Sequence, residues 1–284
     1  MRRLSIGALP LHVNPHCVAM AFFDPLMAAV LGTLQSLAPF APLLLLCIVA
    51  EKMWAKYPVS NQTIATNLVY VVVALALSHG LVLPYLFRLN ALFPANVGHI
   101  QWQTTLSWSS LLQWGGYLLF YDFLYYCFHR LQHAWPWLWR YHFVHHSEEN
   151  ISAAAFARHH WLEELWRYAF MTVPLLVLTG NPQVPLAVVS VIVTFAILMH
   201  WNTPLGFGPL ERLLITPRYH RIHHSVEEAH FNKNFGAFLQ LWDWLFKTRY
   251  VPRPDEFPRT GVPGYSDRYF LRYILPVPLL KKGP

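Results

Sequence analysis

The chain has 284 residues and a mass of 33.0 kDa, enough for one or two domains. Its 55% hydrophobic and 12% charged residues, with a mean hydropathy of +0.30, lie outside the usual soluble range and read as a polytopic membrane protein. The net charge of +7 is spread among tryptophans, prolines and apolar segments, the pattern of loops facing an anionic leaflet, and this argues against nucleic acid as a partner.

Met1 to Cys17 carries Arg2 and Arg3 but is interrupted by Pro10 and Pro15, so it makes a poor signal peptide and is expected to be retained. Apolar stretches follow at Leu26 to Ala50, Ile64 to Phe87, Leu111 to Phe128 and Tyr168 to Met199. The last is broken at Gly180, Asn181 and Pro182, which predicts a hairpin of two shorter helices. The first, with Pro39 and Pro42, either spans or dips into the bilayer, giving four to five membrane helices. The expected fold is an all-α polytopic membrane helix bundle with a cytoplasmic histidine-rich helical cap, built from residues 129–167 and the tail from Trp201 onward. Residues 1–110 are read as N-terminal membrane helices, 111–250 as a catalytic unit and 251–284 as a tail. Trp135, Trp137, Trp139, Tyr141, Trp161 and Trp166 fit an interfacial belt. Cys17, Cys47 and Cys127 are widely spaced and form neither a disulfide framework nor a CxxC site.

Three histidine clusters carry the chemistry: His129 and His133 in HRLQH, His142, His145 and His146 in HFVHH, and His220, His223 and His224 in HRIHH. With 16 histidines in the chain, chance supplies one HxxHH about 0.05 times, so two copies plus an HxxxH are not noise. Residues three and four apart on a helix share a face, so each cluster aims its imidazoles together. Imidazole is the ordinary ligand of iron, zinc and copper, and eight suit a pair of metals better than one tetrahedral zinc. Sidedness permits a shared site, because the hairpin crosses twice and returns at His200, leaving every cluster on one face. The twelve Lys and Arg from Arg212 to Lys282 place that face in the cytoplasm.

Paired iron with nitrogen ligands binds and reduces dioxygen, which makes an oxidant for unactivated C–H bonds that side chains cannot supply. This points to an oxygenase or desaturase acting on a lipid from the bilayer. The order HxxxH, HxxHH, hairpin, HxxHH resembles both membrane acyl desaturases and the fatty acid hydroxylase superfamily, also called the sterol desaturase family. Asn234, Phe235 and Gly236, followed by Trp242, Asp243, Leu245, Phe246 and Thr248, are similar to the latter's NFG and WDxLFxT signature. TPRYHRIHHS, Thr216 to Ser225, resembles its third box, and Arg158, His160 and Glu163 its RxHPxE element, with Trp161 in place of the proline. Asn232 stands where an acidic residue is usual, a second departure. The resemblance covers roughly Leu111 to Tyr250.

That resemblance implies that His129, His133, His142, His145, His146, His220, His223 and His224 are catalytic metal ligands, with His200 of MHWNTP as a ninth. It implies two Fe as cofactor, which zinc can replace in a purified sample, and O2 as co-substrate. No HPGG or GxGxxG pattern is present, so electrons are expected from an external donor of cytochrome b5, ferredoxin or reductase type. Glu163, Asp243 and Asp122 are candidates to orient imidazoles. Asp122, seven residues before His129, is equally readable as a structural carboxylate paired with a neighbouring helix. His160 stands between ligand, support and surface; His159 and His230 read as surface and loop residues, Glu148 and Glu149 as a solvated face. His12, His16, His79 and His99 lie away from the clusters. Substrate, choice between hydroxylation and desaturation, and compartment (bacterial inner membrane or endoplasmic reticulum, the latter with the terminal KKGP as a retrieval signal) stay open. So does a metal-binding or transport protein without oxygenase activity, although ligands confined to one face and spans nearly free of polar groups besides Asp122 and His79 speak against it.

Overall fold

The computed structural model describes residues 27–89, 100–103, 105–180, 184–265 and 273–275. The basic N-terminus, Cys17, His12, His16 and His99, the Asn181 and Pro182 part of the hairpin turn and the terminal KKGP lie outside the described residues.

The described residues are helical and contain no strand, only the isolated bridges Leu214 to Leu239 and Ser225 to Thr260. Helix α1 runs over Met27–Trp54, with a 3-10 turn at Ala38–Phe40 where Pro39 enters. Helix α2 (Asn61–Leu77) starts at Ser60, whose hydroxyl accepts from the Thr63 N–H, and passes through a π-turn at Ser78–Val82 into α3 (Leu83–Leu89). The long helix α4 (Trp108–Ala134) opens on a capping box between Ser107 and Ser110 and carries HRLQH in its last turns. Pro136 then starts α5 (Pro136–His146), where a missing N–H costs nothing, and HFVHH closes it. After a 3-10 turn at Ala153–Ala155 come α6 (Glu163–Arg167), a π-turn at Tyr168–Thr172, α7 (Val173–Thr179) and α8 (Leu186–Met199). Gly180, with φ 63°, closes α7 in the left-handed conformation that glycine tolerates. Thr216 caps α9 (Pro217–His223), and the short α10 (Leu241–Leu245) ends the cap.

Among the described residues, two helices are long and apolar enough to cross a membrane by length and composition, Met27–Trp54 and Asn61–Leu86, each with a mean hydropathy of 1.9. Helix α8 is apolar but has 14 residues, about 21 Å of rise against a hydrocarbon core about 30 Å thick.

The cap is clamped to α4 by one carboxylate. Asp122 Oδ1 accepts from the backbone N–H of Ala237 (3.0 Å) and Phe238 (2.9 Å), and Oδ2 from Leu239 N–H (3.1 Å) and Trp242 Nε1 (3.0 Å). Asp243 binds residues on both sides of it in the same way, accepting from Phe235 N–H (2.8 Å), Gly236 N–H (3.0 Å) and the Thr248 hydroxyl (2.7 Å). Asn234, at φ 61°, donates to the Tyr219 and Tyr250 carbonyls, and a Cβ on Gly236 would stand 2.6 Å from the Leu239 carbonyl oxygen. The NFG and WDxLFxT residues are therefore one turn folded on two buried carboxylates.

Asp122→Ala leaves four donors, two buried and two half-buried, without an acceptor, which costs on the order of 3 kcal/mol. We expect a lower thermal midpoint in detergent and lower metal content than wild type, although Asp122 touches no histidine; unchanged metal content would show that the clamp does not support the centre.

Candidate metal centre

The structure gathers all nine histidines into two adjoining groups. Ring nitrogens of His129, His133, His142, His146 and His223 lie within 4.8 Å of one another, as do those of His145, His200, His220 and His224. The two groups touch through the stacked rings of His146 and His224, whose centroids are 4.2 Å apart.

Helix geometry explains the division. At 3.6 residues per turn, positions i and i+4 diverge by about 40°, while i+3 lies about 60° to the other side of i. In HFVHH, His142 and His146 accordingly enter the first group and His145 the second. In HRIHH, His220 and His224 enter the second group and His223 the first. Each HxxHH thus serves both groups. His129 and His133 from α4 complete the first, and His200, which caps α8, completes the second.

The donor set fits metal ions. His146 Nε2 lies 3.1 Å from His133 Nε2, 3.2 Å from His142 Nε2 and 3.1 Å from His223 Nε2. In the second group, His220 Nε2 lies 3.3 Å from His200 Nε2 and 3.1 Å from His224 Nε2, and His200 Nε2 lies 3.3 Å from His145 Nε2. A ring nitrogen carries one hydrogen or one lone pair, so the three contacts at His146 cannot all be hydrogen bonds. A cation about 2.0–2.1 Å from each nitrogen sets neighbouring donors about 2.9–3.4 Å apart, which matches these edges. His129 Nε2 is buried without a hydrogen-bond partner, as expected of a lone pair aimed at a cation.

At three rings the outer nitrogen fixes the tautomer. Nδ1 of His129 donates to the Phe235 carbonyl (2.9 Å), Nδ1 of His200 to the Ala196 carbonyl (2.7 Å) and Nδ1 of His223 to the Lys233 carbonyl (2.8 Å). With the proton on Nδ1, the Nε2 lone pair faces inward. Burial pushes His200 and His223 down to about 3. Burial, with mutual repulsion between rings, holds His145, His146, His220 and His224 well below the ordinary imidazole value. All are neutral at physiological pH, the form that binds metal.

Glu163 is the carboxylate nearest the cluster, its Oε1 lying 3.7 Å from His142 Nδ1 and 3.1 Å from His159 Nδ1. Burial pushes its carboxyl up, but the imidazoles of His159 and His142 outweigh this and hold it well below the usual carboxylate range. Asp122 and Asp243 bond no histidine; they act one step away, by fixing the turn whose Phe235 carbonyl receives His129.

Several expectations are corrected. His159 is half-buried, stacked on His145 at 4.3 Å and paired with Glu163, because the segment after the 3-10 turn folds back over α5. His160 stands outside both groups: Nε2 bonds the Leu275 carbonyl (2.9 Å) and Nδ1 accepts from the Leu162 N–H, so it anchors the tail. Trp161, in place of the family's proline, donates from Nε1 to the Ile274 carbonyl (2.8 Å), and a proline offers no such donor. His230 is buried between the Ser225 hydroxyl and Glu256. Glu148 is buried and accepts from Asn67 (2.6 Å) and Ser152 (2.9 Å), while Glu149 is solvated as expected. Sequence reasoning also passed over Glu51, whose Oε1 accepts from the Ala153 and Asn202 N–H groups and so ties α1 to both flanks of the site. A carboxylate near the end of an apolar span was the available signal.

Glu163→Gln keeps the shape but removes the charge facing His142. A fall of about 10- to 100-fold in metal affinity is expected, read by chelator competition; His200→Ala should lower the metal bound per chain in the same assay. Wild-type affinity in the first and full stoichiometry in the second would detach these residues from the centre.

Residues 114–248 match the fatty acid hydroxylase family. The chain is 34% identical over 166 residues to an ornithine lipid hydroxylase of Rhizobium tropici, covering 58% of this chain and 50% of that protein. It is 33% identical over 147 residues to the human alkylglycerol monooxygenase (50% and 32% covered) and 33% over 155 residues to that of Danio rerio (53% and 33%). The chain thus spans half the length of the first of these relatives and about a third of the others. No solved structure matches it. The matched residues contain every histidine of the two groups and are similar to the fatty acid hydroxylase superfamily.

Proposed function

We propose that the protein is a membrane-bound non-heme diiron oxygenase that hydroxylates a lipid, with O2 as co-substrate and electrons from an external donor. The observation that carries this reading is the pair of neutral imidazole groups, five and four strong, side by side. His129, His133, His142, His146 and His223 would hold one iron, and His145, His200, His220 and His224 the other. Bound there, the pair supplies the dioxygen activation and C–H oxidation that side chains lack. The balance is RH + O2 + 2 electrons + 2 protons giving ROH + H2O. Desaturation would take the same input and release two waters; the relatives' names, a hydroxylase and monooxygenases, favour oxygen insertion.

The chain's own contribution is placement and exclusion of water. Tyr125 sets its ring 5.2 Å from His129, and Phe235 packs on His129, His133 and His223, forming an apolar lining against the first group. Below it, Leu118, Tyr121 and Tyr125 of α4 pack with Ile192 and Phe195 of α8 and with Phe238, an apolar strip running from the centre into the helices. An acyl or alkyl chain is the substrate chemistry that such an apolar strip would suit.

In this reading α1, α2, α4 and the α6 to α8 hairpin supply the four to five membrane helices, the short α8 dipping into the bilayer and returning. The histidine-rich cap then lies on the cytoplasmic face of a bacterial inner membrane or endoplasmic reticulum. The basic residues from Arg212 onward support that side.

Lipid profiling of a host with and without the protein tests the function. A hydroxylated lipid should appear only with oxygen and iron present, and His145→Ala should lower it at least about 100-fold while the variant still inserts in the membrane. Retained product in both His145→Ala and His220→Ala would remove the diiron assignment, and bound zinc without an oxygen-dependent product would favour a metal-binding protein.

A further inference from the structure

The outward face of α4 carries an apolar groove whose lining residues belong to neither histidine group. Gly116, Leu119, Phe120 and Phe123 follow one another at helical spacing, and with Trp242 they line an open apolar groove of about 380 Å³. Phe123 and Trp242 form its wall, ring centroids 5.0 Å apart. The same stripe continues through Cys127 to Arg130, both exposed. Arg130 donates to the Tyr126 hydroxyl (3.2 Å), and among the described residues no carboxylate lies within ion-pairing distance of it. Phe246 stacks on Tyr126 at 5.2 Å, and the exposed Lys247 follows it in the chain. Leu241, Trp244, Leu245 and Phe246 are themselves exposed, so the flank of the groove is apolar as well.

From Phe123 to Arg130 the helix rises about 10 Å, a separation suited to the first acyl carbons and the phosphate of one glycerolipid. We propose that this groove binds an anionic glycerophospholipid of the adjoining leaflet, with an acyl chain along Gly116 to Phe123 under Trp242 and the phosphate at Arg130 and Lys247. A guanidinium without a carboxylate partner favours an anionic headgroup, and phosphate accepts its fork of donors in pairs. The proposal rests on the membrane placement of α4.

Cys127 lies between the two ends of the groove and reports on both. Full-length protein carrying Cys17→Ser, in which Cys47 is buried, is labelled at Cys127 with a small fluorophore. It is then placed in phosphatidylcholine vesicles that contain an equal mole fraction of either phosphatidylglycerol or phosphatidylcholine brominated near the glycerol. Quenching at least about twofold stronger by the anionic lipid is expected, retained in Arg130→Lys and levelled in Arg130→Gln. Equal quenching by both lipids in the unsubstituted groove would overturn the site while leaving α4 in the membrane. No quenching by either would overturn the membrane placement and the site with it.

Discussion

Nine imidazoles can share one buried space only if each is neutral and turns a lone pair toward a common point. A charged ring would meet its neighbours' repulsion and lose its hydration, and a misdirected N–H would find no acceptor. At three of the nine rings the chain meets this condition from outside the cluster. The carbonyls of Phe235, Ala196 and Lys233 take the Nδ1 protons of His129, His200 and His223, one each on α4, α8 and α9. Ligand geometry is thereby written into backbone positions, and the backbone positions are what the rest of the fold must hold still.

Buried polar groups do that holding. Asp122 and Asp243 fold the turn that presents the Phe235 carbonyl. Glu51 ties α1 to Ala153 and to Asn202, two residues beyond His200. Arg158 donates to Asn67 of α2 and to Ser147, next to His146, and lies over the rings of Tyr70 and Tyr273. Arg221, between His220 and His223 in the chain, donates to the Pro258 carbonyl and to Asn202 and sits 4.0 Å from the centroid of Phe257. Burial pushes its guanidinium down to about 10, so it stays charged at physiological pH. Every segment bearing one of the nine clustered histidines is thus tied to another segment by at least one charged group.

What the sequence disclosed followed from local periodicity. Spacings of three and four placed the imidazoles of each box on one side of its helix, and the return of the hairpin brought His200 to the others. The split of each HxxHH between two groups was implicit in the 40° and 60° offsets but needed the mutual orientation of α4, α5 and α9, which no single window contains. The polar residues misjudged were those whose burial depends on distant partners. Glu148 meets Asn67 across 81 positions, His160 meets Leu275 across 115, and Trp161 meets Ile274 across 113. A charge or an imidazole in a loop looks solvated until the segment that covers it is known.

The same long-range demand accounts for the irregular helix at the foot of the bundle. Ser78, Val82 and Leu86 are all buried, and Ser78 donates to the Trp161 carbonyl (2.9 Å) while Val82 and Leu86 pack on Tyr168. Successive four-residue steps rotate a regular α-helix by about 40° each and would carry this row off the core. The π-turn at Ser78–Val82 widens one turn and absorbs that drift, so α2 can face Asn67 toward Glu148 above and α3 can still face Leu86 toward Tyr168 below. A second π-turn at Tyr168–Thr172 lies against the first, directly after the helix that sends Glu163 to His142. Two local departures from the 3.6-residue repeat therefore let one pair of helices serve both the apolar bundle and the polar shell of the histidine cluster.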